Sequence, residues 1–264
     1  MSPFVVAIYF LVITLALFLA YRMTSLALRT RQLPEACIAG FAFGTAVGTF
    51  LLTIGRGIGA LPEGWDVPVH AAGALLISIA AALLGLFTWR VFRPDAPWAR
   101  RGFVALGALV LASLVASLAT PEDFRSHVRT PRSAASLVWL LARGVFFVWA
   151  CREALHYWNA MRRRLALGLA DPVVVNRFLL FGVWTAGMVG LWLNAVAARL
   201  LFHLTGGNAS EPTLYLTGSV CGLVQIVSIW LAFFPPRAYL RRVARSAAPS
   251  PSGQGDPTGS RGRS

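Results

Sequence analysis

Residues 151–177, CREALHYWNAMRRRLALGLADPVVVNR, lie between two long apolar runs and decide how the rest of the chain is read. Arg162, Arg163 and Arg164 stand in a row after Tyr157 and Trp158, the strongest local charge in the sequence. Asp171 ahead of Pro172 reads as an N-cap followed by the first position of a new helix. The stretch therefore ends one helix and begins another. Short arginine-rich loops between apolar runs stay on the cytoplasmic side of a membrane, so this loop sets the direction of every other span.

The composition agrees with that reading. Of 264 residues, 57% are hydrophobic, and the mean hydropathy is +0.66, whereas a soluble domain is roughly 45–50% apolar. Runs of spanning length take up nearly the whole chain, which leaves no room for a separate soluble domain. The net charge of +14 comes from arginine alone, because all 24 basic residues are Arg and none is Lys. A chain without lysine forms no retinal or pyridoxal Schiff base, which excludes an opsin-type pigment. Nucleic-acid binding is also set aside, since the arginines collect at span ends, where the positive-inside rule already accounts for them.

Taken in order, the expected spans cover residues 4–21, 34–54, 68–89, 102–119, 134–157, 172–204 and 212–234. The first is a retained span and not a signal peptide, as it lacks a basic n-region and an A-x-A-like site. Eighteen arginines fall on the inner side by this assignment, counting Arg152 and Arg177 at the inner ends of their spans, four fall outside, and Arg143 and Arg199 lie deeper within spans. The fold class is an all-α polytopic membrane protein, a bundle of seven transmembrane helices. Its amino terminus is expected outside and its carboxyl terminus inside. Residues 1–245 make up the transmembrane domain, and residues 246–264, rich in Pro, Gly and Ser, a disordered tail. Pro235 and Pro236 stop the last span, and the arginines after them form a basic juxtamembrane segment. The loop at 120–133 begins with Thr120, Pro121 and Asp123 and is expected to hold one short surface helix.

Three features point to packing. Gly40, Gly44 and Gly48 form a doubled GxxxG on span 2, a groove that lets another backbone approach closely, and packing within the chain is the preferred reading over a dimer interface. Thr45, Thr49 and Thr53 make a second four-residue row that could line a polar interior. Span 4, rich in Ala, Gly and Ser with Ser113 and Ser117 one turn apart, reads as a tightly packed central helix.

The candidate ligand residues are Arg143, Asn194, Arg199, His203, His70 and Gln225. An arginine near the centre of a span costs roughly 2.5–3.5 kcal/mol by insertion scales, so Arg143 must face a cavity or a partner. Either it holds an anionic ligand or it bonds Asn194, Gln225 and helix carbonyls. Thr217, Cys221, Gln225 and Ser228 share one helical face, and Asn194 and Gln225 suit interhelical glue or a polar ligand. Arg199, His203 and His70 suggest an outward-facing polar pocket. Metal or haem is not favoured, because there is no H-x-x-x-H pair and Cys37, Cys151 and Cys221 lack ligand spacing. Glu153 and His156, one turn apart, read as a local ion pair. No H-E-x-x-H, P-loop or G-x-S-x-G is present, so neither catalytic residues nor cofactors are assigned. The Asn208–Ser210 sequon carries little weight in so Ala- and Arg-rich a chain.

The segments RRRLALGLADPVVVNRFLLFGVW, 162–184, and WLAFFPPRAYLRR, 230–242, resemble segments of uncharacterised bacterial seven-helix integral membrane proteins. The resemblance covers about a fifth of the chain and implies a seven-helix fold in the bacterial inner membrane. It carries over no functional residue. The function expected is a sensor or receptor-like module that binds a small molecule, an anion being one candidate, in an outward-facing polar pocket. The alternatives are a small-solute transporter of 3+1+3 helix architecture or a structural subunit of a membrane complex. Its partners are the lipid bilayer, anionic headgroups at the inner loops, and a membrane or cytoplasmic protein.

Overall fold

The computed structural model describes residues 3–55, 62, 64–120, 133–205 and 211–246. Eight helices lie in them: α1 Pro3–Thr30, α2 Leu33–Gly55, α3 Asp66–Phe92, α4 Pro97–Leu118, α5 Ala134–Ala166, α6 Pro172–Thr205, α7 Glu211–Phe233 and α8 Arg237–Ser246. The first seven are long and apolar enough to cross a membrane. The protein is an all-α, multi-pass seven-helix bundle. The helix expected at 120–133, the sequon and the Pro-rich tail lie outside the described residues.

Neighbours in sequence pack antiparallel, and the contacts close a ring in the order α1, α2, α3, α5, α6, α7 and back to α1. Among the described residues, α4 stands outside it against α3 and α5 alone. This corrects the expectation of a central span 4. Ala99, Ser113 and Ser117 are buried on its packed face, but its glycines are not packing notches: a Cβ at Gly102 or Gly107 would meet nothing within 4 Å. The Ser113 hydroxyl satisfies itself, donating to the carbonyl of Leu109 at 2.7 Å.

The turns at the arginine-rich end follow from local chemistry. α5 runs unbroken through the triple arginine and stops in a Schellman motif, with Gly168 at φ +71. The Leu169 N–H donates to the Arg164 carbonyl at 2.9 Å and the Gly168 N–H to that of Leu165 at 2.9 Å. α6 then starts where the Asp-Pro pair predicts, the Val173 N–H donating to Asp171 Oδ1 at 2.7 Å. At the α1–α2 turn, the Thr30 hydroxyl donates to Glu35 Oε2 at 2.6 Å. Four helices exceed their expected spans at this end: α1 continues past Arg22 and Arg29, α3 runs on to Phe92, α4 begins at Pro97, ahead of Arg100 and Arg101, and α5 continues to Ala166.

The glycine row of α2 is filled by α3. A Cβ at Gly44 would sit 3.0 Å from the Leu76 carbonyl oxygen, and one at Gly48 would sit 2.9 Å from that of Gly73. Gly73 answers from α3, 2.9 Å from the Gly48 carbonyl. Such close approach gives dispersion contact that lipid cannot replace.

Aromatic rings fill the arginine-rich half of the ring of helices. Phe87 lies 5.1 Å from Phe181, Phe92 4.9 Å from Tyr157 and Phe181 4.9 Å from Trp184. Trp184 in turn meets Phe41 edge-to-face at 5.3 Å, a favoured arrangement for two quadrupoles. The short α8 docks on α6, where Asn176 Nδ2 donates to the Tyr239 hydroxyl at 2.8 Å.

Candidate ligand cavity

Above the Phe41–Trp184 pair the bundle is not filled. A cavity of about 300 Å³ lies between α1, α2, α6 and α7. Its walls are mainly aliphatic and aromatic, with Thr45, Thr49, Asn194, Ser219 and Gln225 as the polar side chains among the described residues. Two of the expected ligand residues, Asn194 and Gln225, thus meet at one chamber, together with two members of the threonine row. The side chain of the third, Thr53, lies outside the described residues.

Gln225 is the unusual member. It is 5% exposed, and its amide nitrogen Nε2 is sealed from water without a hydrogen-bond partner. Leaving a buried amide donor unmade costs about 1–3 kcal/mol, and intramembrane polar groups otherwise find partners across helices. The position exists because Gly187 of α6 makes room for it: a Cβ there would fall 2.6 Å from Gln225 Cγ. Sequence reasoning missed Gly187. The readable signal was a pair of small residues, Gly187 and Gly190, on one face of span 6. Gly190 faces Cys221, whose Sγ a Cβ would meet at 3.1 Å. Of the polar row on α7, Ser228 is buried and donates back to the Val224 carbonyl at 2.7 Å. Thr217, at the row's other end, is exposed.

The charged candidates sit elsewhere. Arg143 stacks its guanidinium on Trp139 of its own helix, 4.3 Å from the ring centroid, and the Trp139 indole N–H donates to Ser78 Oγ of α3 at 2.8 Å. Arg199 is buried and clips α6 to the start of α5, with Nη1 donating to Ser136 Oγ at 2.8 Å and Nη2 to the Ser133 carbonyl at 2.7 Å. His70 is buried on α3. The side chain of His203 lies outside the described residues. None of Arg143, Arg199 and His70 lines the cavity. The six candidates therefore do not form one site.

Beside Arg143 is the tightest contact between α5 and α6. Trp192 lies against Gly144, where a Cβ would fall 2.0 Å from its ring, and its indole N–H donates to the Leu140 carbonyl at 2.9 Å. At the arginine-rich end, Glu153 is 1% exposed and pairs with Arg93 Nε of the α3–α4 turn at 3.0 Å. This corrects the local pair expected with His156, which is exposed: a carboxylate buried between helices needs a donor that reaches inward.

A second cavity, about 370 Å³, opens at the arginine-rich end beneath the aromatic rings, with Glu35 and Arg177 among its lining residues. Phe87, Phe92, Phe178 and Phe181 separate it from the upper chamber's Phe41–Trp184 floor.

Fold and site together define a multi-pass α-helical membrane protein with an internal chamber in the bundle. No protein family, curated protein or solved structure matches the chain.

Proposed function

We propose that the protein is a receptor-like module of the bacterial inner membrane, amino terminus outside and carboxyl terminus inside, which binds a small molecule in the cavity between α1, α2, α6 and α7. The orientation rests on the arginines gathered at one end of the bundle, with the basic α8 and the loops beside it lying against anionic headgroups and a cytoplasmic partner. The observation that carries the ligand reading is the chamber itself, an apolar pocket edged by a few polar groups and holding an amide donor without a partner. The ligand reading thereby moves from Arg143 and Arg199 to Asn194 and Gln225. A scaffold reading loses its best surface, because the glycine face of α2 is consumed by α3.

The test is thermal unfolding of the protein in lipid nanodiscs against a small-molecule library, wild type beside Ala42→Phe, since Ala42 lines the cavity. A ligand that binds only the native state at about 100 times its Kd adds ~2.7 kcal/mol of stability. At least one compound is expected to stabilise wild type and to lose its effect in Ala42→Phe. If no compound acts and Ala42→Phe merely stabilises the fold, the chamber is a packing void and the scaffold reading takes its place.

One observation favours transport as a second reading. The ring order maps onto itself when α1, α2, α3 exchange with α5, α6, α7, and the two cavities lie on either side of one aromatic layer. Flux of the stabilising compound into proteoliposomes, faster in Trp184→Ala than in wild type, would favour transport. Binding without flux favours the receptor.

A further inference from the structure

The lining of the upper cavity is sorted along its length. α2 and α6 both run away from the arginine-rich end: on α2, Ile38 and Phe41 come before Thr45 and Thr49, and on α6 Trp184 comes before Asn194. α7 runs the other way, and there Ser219 comes first, Gln225 next and Ile229 last. All three helices therefore put their polar side chains toward the arginine-poor end and leave the floor apolar. Gln225 marks the boundary.

Size and charge narrow the occupant. The chamber reaches from Ile38 to Thr49 on α2 and from Gly218 to Ile229 on α7, about 16 Å at the ~1.5 Å rise per helical residue. A volume of about 300 Å³ drawn out over that length is slender, suited to one chain and not to a fused ring system or a two-chain phospholipid. No charged side chain lines it among the described residues, and an ion held there without a counter-charge would meet a heavy desolvation cost.

We infer that the occupant is a neutral, single-chain amphiphile. Its hydrocarbon chain rests on the Phe41–Trp184 floor, and its oxygen-bearing head, an ester, amide or hydroxyl, lies among Thr49, Asn194 and Ser219. The head oxygen accepts a hydrogen bond from Gln225 Nε2, once rotation about the broad terminal torsion of the side chain turns that buried nitrogen toward the chamber. This assignment rests on the cavity being a ligand site.

The experiment uses wild type and the near-isosteric Gln225→Met in phosphatidylcholine nanodiscs, titrated with methyl decanoate, decane and sodium decanoate at matched membrane concentrations and read by thermal unfolding. In wild type the ester is expected to bind about tenfold more tightly than decane, the worth of one buried hydrogen bond, and more tightly than the carboxylate. In Gln225→Met the ester loses its advantage while decane binding is unchanged. Equal binding of ester and decane to wild type, lost in Ala42→Phe, would overturn the Gln225 anchor and leave the ligand site standing. Tightest binding by decanoate would overturn the neutral head. If library compounds bind and none of the three probes does, the amphiphile class falls alone; if nothing binds, the ligand reading falls with it. Should Gln225→Met fail to fold, the comparison of ester with decane on wild type decides.

Discussion

The two long faces of α6 handle polarity in opposite ways. Toward α5, side chains fill and bridge the interface: Trp192 occupies the space left by Gly144 and bonds the Leu140 carbonyl, and Arg199 is bonded to Ser136 and Ser133. Toward α1, α2 and α7, Trp184 and Asn194 border an open chamber, and Gln225, packed against Gly187 at its edge, keeps a donor without an acceptor. Lipid gives apolar side chains no reason to associate, so intramembrane polarity either holds helices together or serves something bound between them. The difference lies in whether the side chain as a whole already has partners: Arg143 and Arg199 do, although the Nε of each is buried without a hydrogen bond of its own, and Gln225 Nε2 does not. Arg143 and Arg199 are the costlier residues, yet neither opens on the chamber: Arg143 is held on Trp139 within α5, and Arg199 belongs to the closed face. The cheaper amides belong to the open one.

The largest expected effect comes from breaking the closed face at its tightest point. Gly144→Val places a branched side chain where even a Cβ would fall 2.0 Å from the Trp192 ring. Overpacking of this kind costs about 1–3 kcal/mol, and the indole cannot withdraw without losing its bond to Leu140. Unfolding in SDS should show a loss of about 3 kcal/mol, with ligand affinity in the surviving folded fraction unchanged. A loss below ~0.5 kcal/mol would mean that Trp192 is free to move and that the face is not closed in the sense meant here.

Next in size is Arg199→Met, which keeps the length of the side chain and removes its two bonds to the start of α5. Hydrogen bonds from a charged group are worth about 1.5–3 kcal/mol each, but removing the charge also relieves its desolvation. A net loss of about 2 kcal/mol is expected by the same SDS assay, with ligand binding intact. Loss of binding without loss of stability would return Arg199 to the ligand site and erase the contrast between the two faces.

How much of this was legible in the sequence follows from what each signal can carry. The seven spans were, because runs of about 20 apolar residues bounded by arginine have few other readings. The glycine row of α2 was legible as a close contact, and Asp171-Pro172 as a helix start, since both are local. The place of α4 was not: Ala, Gly and Ser on a membrane helix read as small packing residues, yet here Gly102 and Gly107 face open space. Arg143 and Arg199 announced only that a buried charge needs company. Their partners, an indole face, a serine hydroxyl and a main-chain carbonyl, leave no mark in a charge pattern. Arg93 and Glu153 meet across 60 positions of sequence. Asn194, Gln225 and the threonine row were legible as inward-facing polarity, but the chamber they edge is a lack of atoms, set by what four helices fail to fill.

The smallest expected effect on stability separates the faces most sharply. Gly187→Ala adds a Cβ 2.6 Å from Gln225 Cγ, closer than the 2.8 Å at which a Cβ on Gly182 would meet Leu155 on the closed side. The atom it meets is the Cγ, near the root of the side chain, so relief comes from a change of χ1 that swings the amide toward the open chamber instead of straining the helices. Replacing a helical glycine also recovers up to ~1 kcal/mol of backbone propensity, and the net change in stability should lie within about 0.5 kcal/mol of zero. Ligand binding should suffer, because the displaced amide now occupies space the ligand needs: the advantage of methyl decanoate over decane should fall several-fold. Gly190→Ala, which meets only Cys221 Sγ at 3.1 Å, supplies the control and should leave that advantage in place. If Gly187→Ala instead destabilised the fold as severely as Gly144→Val and left ligand binding untouched, the notch would be ordinary packing, and α6 would have two closed faces.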